Sequence, residues 1–155
     1  MVDGALHHTW RDGRAAVGAF LEDVALLADA YLTLFEVTGE VRWFRRAEAY
    51  AEDAVARFAD PVDGGDFQTA DDAEQLYTRP KDTWDNATPS GNSALAAAFV
   101  RLGALTGDGR WQTRAEDQLR VFGGDAPQMP TGYGYLLRVM EFLRAGPREV
   151  AVVGA

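Results

Sequence analysis

The residues of this 155-residue chain that could do chemistry are mostly carboxylates and their neighbours. Asp85 stands just ahead of Ala87-Thr88-Pro89-Ser90-Gly91-Asn92, a turn that feeds a helix. Backbone N–H groups at a helix start attract anions and polarised oxygens. A carboxylate beside them can act as a general base or hold sugar hydroxyls; it can equally cap the helix or staple the loop. Asp23 is the second acid, on the stripe Asp23-Leu27-Ala30-Leu34 at the start of a helical segment, where the helix dipole alone also favours an acid. Asp85 and Asp23 are the candidate catalytic pair. Glycoside hydrolysis would need their carboxyls about 5 Å or about 6.5–9.5 Å apart.

Around these acids lie candidate binding residues. Glu22 adjoins Asp23 but points about 100° away on a helix, sharing a polar arc with Asp29 and Thr33. Arg79 and Lys81 flank Pro80 and could neutralise a carboxylate or phosphate, or pair with Asp82, Asp85 or the acidic stretch that opens Asp71-Asp72. Trp84 could stack on a sugar face, as could Tyr77 and Trp10, with plain packing as the alternative. Ser90 and Asn92 complete the set, Ser90 doubling as a natural N-cap. His7 and His8 are the only histidines. An adjacent pair makes no standard metal site without carboxylate help, so they read as a surface segment, with one able to serve as acid/base if that segment folds inward. No phosphate loop, zinc signature or Ser-His-Asp spacing occurs, and neither metal nor cofactor is expected.

Helices must position these groups. At 100° per residue, Glu22, Leu26, Asp29, Thr33 and Glu36 fall within roughly 80° of arc, while the rest of 20–37 is nearly all apolar. Segment 93–105 is again apolar, with Arg101 its only charge, whereas 42–58 and 110–121 are mixed and charged. A fifth helix is predicted over 133–143. The sequence also repeats: TGEVRWFRRAE at 38–48 and TGDGRWQTRAE at 106–116 share seven of eleven positions at an offset of 68. Apolar helices alternating with amphipathic ones predict an all-α fold of helical hairpins, part of an (α/α) toroid whose inner ring lines a cavity. The offset places Glu22-Asp23 and Ser90-Gly91-Asn92 on one rim of that cavity, and the Arg-Trp pairs 42–43 and 110–111 as packing anchors. A β-hairpin insert is expected near 65–79, with Phe67-Gln68-Thr69 against Leu76-Tyr77-Thr78. A terminal strand is expected near 148–153 after Gly146-Pro147. Residues 1–146 thus form a partial toroid, and 147–155 open a truncated β-containing segment.

Composition narrows the partners. Fifteen basic against 24 acidic residues give a net charge of −9, which disfavours phosphate backbones and hence nucleic acid. Cysteine is absent, excluding disulfides and thiolate chemistry in these residues. No apolar run is long enough for a membrane span, and no signal core opens the chain, so a soluble cytoplasmic protein is expected. Five helices do not close a toroid, so self-association or contact with further hairpins is expected too.

Three stretches carry a family resemblance. GAFLEDVALLADAYLTLFEVTGEVRWFRRAEAYAE, FQTADDAEQLYTRPKDTWDNATPSGNSALAAAFVRLGALTG and the closing GPREVAVVG resemble the YyaL-type, spermatogenesis-associated thioredoxin-domain-containing proteins, RPK with D-x-A-x-PSGNS being the specific signal. The resemblance runs from about Leu6 to Gly154. It implies the later part of a six-hairpin (α/α) toroid related to sugar epimerases of the N-acylglucosamine 2-epimerase type, without the family's thioredoxin-like domain. It therefore implies a sugar or sugar derivative in the cavity and isomerase- or glycoside-hydrolase-like acid/base chemistry. The alternative is a non-catalytic scaffold beside a thioredoxin-like domain. The chain departs from the family at Val24, where Tyr is frequent. Related epimerases use inner-helix histidines, and none falls on 20–37, 93–105 or 133–143.

Overall fold

In the computed structural model, residues 6–73 and 77–148 are described. Two strands open the fold: β1 (His7–Arg11) and β2 (Arg14–Gly18) pair antiparallel, with His7 opposite Gly18 and Arg11 opposite Arg14. Asp12 (φ 50°) and Gly13 (φ 77°) form the two-residue turn between them. Asp-Gly suits such a turn because both positions need a positive φ.

Five α-helices follow: α1 (Leu21–Thr38), α2 (Val41–Phe58), α3 (Gly91–Thr106), α4 (Gly109–Phe122) and α5 (Gly134–Ala145), with a 3-10 turn over Pro130–Gly132 before α5. All five lie where sequence periodicity predicts them. α1 packs on α2 and α3, and α3 packs on α4 and α5. α3 is central, and every residue from Gly91 to Val100 is buried. α2 and α4 bury only a narrow stripe: Ala47, Ala51, Ala54 and Phe58 on one, Trp111, Ala115 and Gln118 on the other. Their 4-3-4 and 4-3 spacings keep those side chains on one face while the charged residues stay wet.

The repeated Thr-Gly-acid element has one physical cause at both copies. Gly39 and Gly107 end α1 and α3 at φ 69° and 70°, and their N–H groups donate to Phe35 and Gly103 carbonyls. The preceding threonine donates to a carbonyl four residues back and accepts from the acid's backbone N–H: Thr38 bonds Leu34 and Glu40, Thr106 bonds Leu102 and Asp108. Each helix end thus reverses into the next helix on the same hydrogen bonds. The Arg-Trp pairs are packing anchors, as expected. Arg42 lies 4.4 Å from the Trp43 ring and Arg110 4.3 Å from that of Trp111. Trp43 stacks on Tyr31 and Trp111 on Phe99, partners that are themselves 68 residues apart.

The long connection from 59 to 90 differs from expectation. Among the described residues Phe67-Gln68-Thr69 forms no ladder with Tyr77-Thr78. Thr69 bridges Phe20 instead, the Leu21 N–H donates to the Gln68 carbonyl, and the Gln68 N–H donates to Pro80. Leu76 lies outside the described residues, and Tyr77 is fully exposed. Two cations explain the change: Arg79 lies 4.2 Å and Lys81 5.1 Å from the Phe67 ring. They hold the 79–81 segment against Phe67, while the Gln68 carbonyl is left to α1. The strand expected near 148–153 falls, from residue 149 on, outside the described residues.

Candidate functional site

The polar residues of α1, α3 and α5 converge. Arg101, the lone charge of α3, reaches α1: its guanidinium lies 2.5 Å from the Asp29 carboxylate, 3.0 Å from Glu36 and 3.2 Å from the Thr33 hydroxyl. From α5 the Tyr135 hydroxyl donates to the other Asp29 oxygen at 3.1 Å. Arg138 stacks over the Tyr135 ring at 4.4 Å. Burial pushes the Tyr135 phenol up, and the adjacent Asp29 carboxylate adds to it; both disfavour a phenolate. Asp29, Thr33, Glu36, Arg101 and Tyr135 thus make a polar strip that joins α1, α3 and α5, with Arg101 the one charge of α3. Arg101 and Asp29 retain partial solvent contact, with 17% and 21% of their side chains exposed.

At the start of α1 a second cluster forms. The Asp23 carboxylate accepts from the Phe20 N–H at 2.9 Å and faces His8 Nδ1 at 2.8 Å. The first bond closes the helix start in the manner of a capping box. The His8 ring rests edge-on against Phe20, with centroids 4.8 Å apart. Glu22 completes the cluster: one ligating atom from each of His8, Glu22 and Asp23 lies within 4.8 Å of the others. Gly91, opening α3, abuts this end of α1. A Cβ there would lie 2.9 Å from Leu21 Cγ and 3.0 Å from the Glu22 nitrogen. The two helix starts therefore share one end of the fold, as the 68-residue offset requires.

Asp85 occupies a different setting. It is buried and receives backbone donors from two helix starts: Ser90 N–H at 2.9 Å, Tyr135 N–H at 2.7 Å and Leu136 N–H at 3.4 Å. Through that contact it fixes the first turn of α5, and with it Tyr135. Among the described residues Asp23 and Asp85 have no hydrogen-bond partner in common. Ser90 caps α3, accepting from the Ser93 N–H. Asn92 is buried and satisfied, exchanging bonds with Asp66 and donating to the Asp82 carbonyl. Arg79 donates to the Thr69 and Arg57 carbonyls, and Lys81 to the Gly64 carbonyl and the Asp60 carboxylate. Those partners are not the Asp82, Asp85 or 71–74 acids that proximity in sequence proposed. Trp84 packs edge-on against Tyr133 and covers Gly132, where no Cβ would fit. Trp10 and Tyr77 are exposed. Of the candidates, Glu22 and Asp23 face an open cluster. Asp85, Arg79, Lys81, Ser90 and Asn92 bind the chain's own backbone.

Three participants were not among the candidate site residues, although His8 and Arg101 were noted in the sequence. Arg101 had a signal, a single charge on an apolar helix. His8 had a partial one, since Asp12-Gly13 marks a hairpin that would carry it back toward α1. Tyr135 had none, because its role depends on how α5 crosses α3.

A second buried polar site lies behind this face. Asp66 and Gln118, both nearly inaccessible, hydrogen-bond to each other between the 60–66 loop and α4. Burial raises the Asp66 carboxyl to about 6, against the pull of Arg114 and Lys81. Asp60 moves the other way, to about 2, because Lys81 and the Val62 and Asp63 N–H groups bond its carboxylate.

Fold and site together define a protein of helical hairpins whose central helices carry a polar strip, with a histidine–carboxylate cluster at one end. Relatives carry that description further. The chain is 29% identical over 136 residues to spermatogenesis-associated protein 20 of Mus musculus, 29% to that of Rattus norvegicus and 28% to that of Homo sapiens. Each match takes in 87% of this chain and 17% of the relative. This homology agrees with the resemblance carried by the RPK and PSGNS motifs. No protein-family model matches the chain. No helix among the described residues is long and apolar enough to cross a membrane.

Proposed function

We propose that this chain is part of a carbohydrate-active (α/α) toroid protein that holds a sugar or sugar derivative against the face of α1, α3 and α5. The Arg101–Asp29–Tyr135 strip supports this reading. A guanidinium, a carboxylate and a phenol on one wall offer the planar donors and acceptors that polyhydroxyl ligands need. A helix as apolar as α3 normally keeps a charge only where it is paired or used. Isomerase- or hydrolase-like acid/base chemistry would fall to Asp23, which faces His8, while Asp85 positions Tyr135 from behind. In this reading further hairpins cover the α3–α5 side, and a second copy does so for the isolated chain.

A scaffold role has one observation in its favour, that the RPK and PSGNS side chains bind their own backbone. One experiment separates the two. A thermal-shift screen against monosaccharides, amino sugars and sugar phosphates would be run on the chain and on Arg101→Gln. A ligand at 100 times its Kd stabilises by about 2.7 kcal/mol, a shift of several degrees at this size. Binding at the strip predicts that shift for at least one sugar class and its loss in Arg101→Gln. A flat screen on folded protein favours the scaffold.

A further inference from the structure

We infer that His8, Glu22 and Asp23 form a binding site for a first-row divalent cation of the zinc or manganese type. The two carboxylates alone would be ordinary helix-start acids. The histidine changes the chemistry, because a neutral imidazole beside two carboxylates supplies a mixed N/O donor set. The chain brings it there from an independent element: β1 and the Asp12-Gly13 turn place His8 over the first turn of α1. The ring is held by its edge contact with Phe20. The Phe20 N–H bonds the same Asp23 oxygen that faces His8 Nδ1, an arrangement that orients a ligating carboxylate from the protein side.

With ligating atoms already within 4.8 Å of one another, small side-chain rotations bring them around one ion. The cation would replace the His8–Asp23 hydrogen bond. Two carboxylates and a neutral imidazole carry a charge of −2, so a divalent ion neutralises the site; that outweighs the weak repulsion of a helix N-terminus. Three protein ligands leave a coordination position open to water or a ligand oxygen. Glu22 and Asp29 are seven residues apart on α1, about 10 Å along its axis, so a ligand hydroxyl could reach the ion from the polar strip. The cation site stands on its own geometry, whether or not a sugar binds.

Isothermal titration of the full chain with Zn2+ and with Mn2+ tests this, alongside His8→Ala, Glu22→Gln and His7→Ala. Successive strand residues face opposite sides, so His7 is the control. The expected result is saturable one-to-one binding, tighter for Zn2+ than Mn2+. Binding should weaken at least tenfold in His8→Ala and in Glu22→Gln and stay unchanged in His7→Ala. The absorption bands of bound Co2+ would shift in His8→Ala, a readout that stability alone does not move. Circular dichroism establishes that each variant is folded. Absence of saturable binding to the folded wild-type chain overturns the inference, as does binding that survives His8→Ala.

Discussion

At the residue scale, Asp66 is the sharpest test of the electrostatics. Its carboxyl sits at about 6, above the ordinary 3.8, because burial penalises the charge. The folded chain therefore holds this proton more tightly than the unfolded chain. The stabilisation is complete below about pH 4 and is lost as pH rises through about 6, amounting to about 3 kcal/mol over that window. Asp66→Asn keeps an acceptor for Gln118 without the charge. Urea unfolding from pH 4 to 7 should find it more stable than wild type at pH 7, with a flatter profile. Asp60, lowered to about 2 by Lys81, runs the other way: its contribution is present above about pH 4 and lost as pH falls toward 2. Urea unfolding extended down to pH 2 should show that acid limb surviving in Asp66→Asn. An unchanged slope between pH 4 and 6 would show that Asp66 is not the titrating group.

At the element scale, the 68-residue repeat makes a paired prediction. Trp43 and Trp111 open equivalent helices and stack on equivalent partners, yet Trp111 is 1% exposed whereas Trp43 is half-buried. α3 packs on α1, α4 and α5, so its partner helix α4 seats Trp111 deeply, while α1 packs on α2 and α3, and α2 covers it. Trp111→Ala should cost about 3–5 kcal/mol, the usual range for emptying a buried aromatic site. Trp43→Ala should cost about half as much. Equal losses in chemical denaturation would mean that the sequence repeat, rather than the depth of packing, sets the energetics. The helices themselves were legible because their periods and stop signals are local: Gly39 and Gly107 fall at the left-handed positions where the Thr-Gly-acid pattern put them. The 65–79 connection was not legible, because Phe67 chooses its partners through Arg79 and Lys81, ten and more residues downstream.

At the scale of the whole molecule, the α3–α5 side carries an open depression. Val100, Val139, Phe142 and Ala145 line a depression of about 340 Å³ beside Arg101 and Arg138. If further hairpins cover it in a longer protein, the isolated chain should bury it by pairing. Light scattering should then give an apparent mass that rises with concentration above 16.9 kDa, and Ala145→Glu should lower it by placing a charge on the rim. A constant monomer mass at high concentration would remove self-association from the proposed function. The chain spans 17% of the length of the spermatogenesis-associated relative of Mus musculus that it matches.

The sequence by itself determined what depends on neighbours in the chain. Whereas the β1–β2 hairpin about Asp12-Gly13 came from the structure, helix positions follow from the 3.6-residue period, helix ends from glycine's tolerance of positive φ, and the shared end of α1 and α3 from the repeat offset. The sequence also named Glu22 and Asp23, because acids at a helix start advertise themselves. Tertiary structure decided which donors reach each acid. Asp85 and Asp23 look alike in sequence, each an acid beside a helix start. Asp85 is enclosed by N–H donors from α3 and α5, while Asp23 meets an imidazole delivered by a hairpin fifteen residues upstream. Only packing could make that distinction, because a carboxylate's chemistry depends on which donors reach it, and those donors come from elements that the local sequence does not specify.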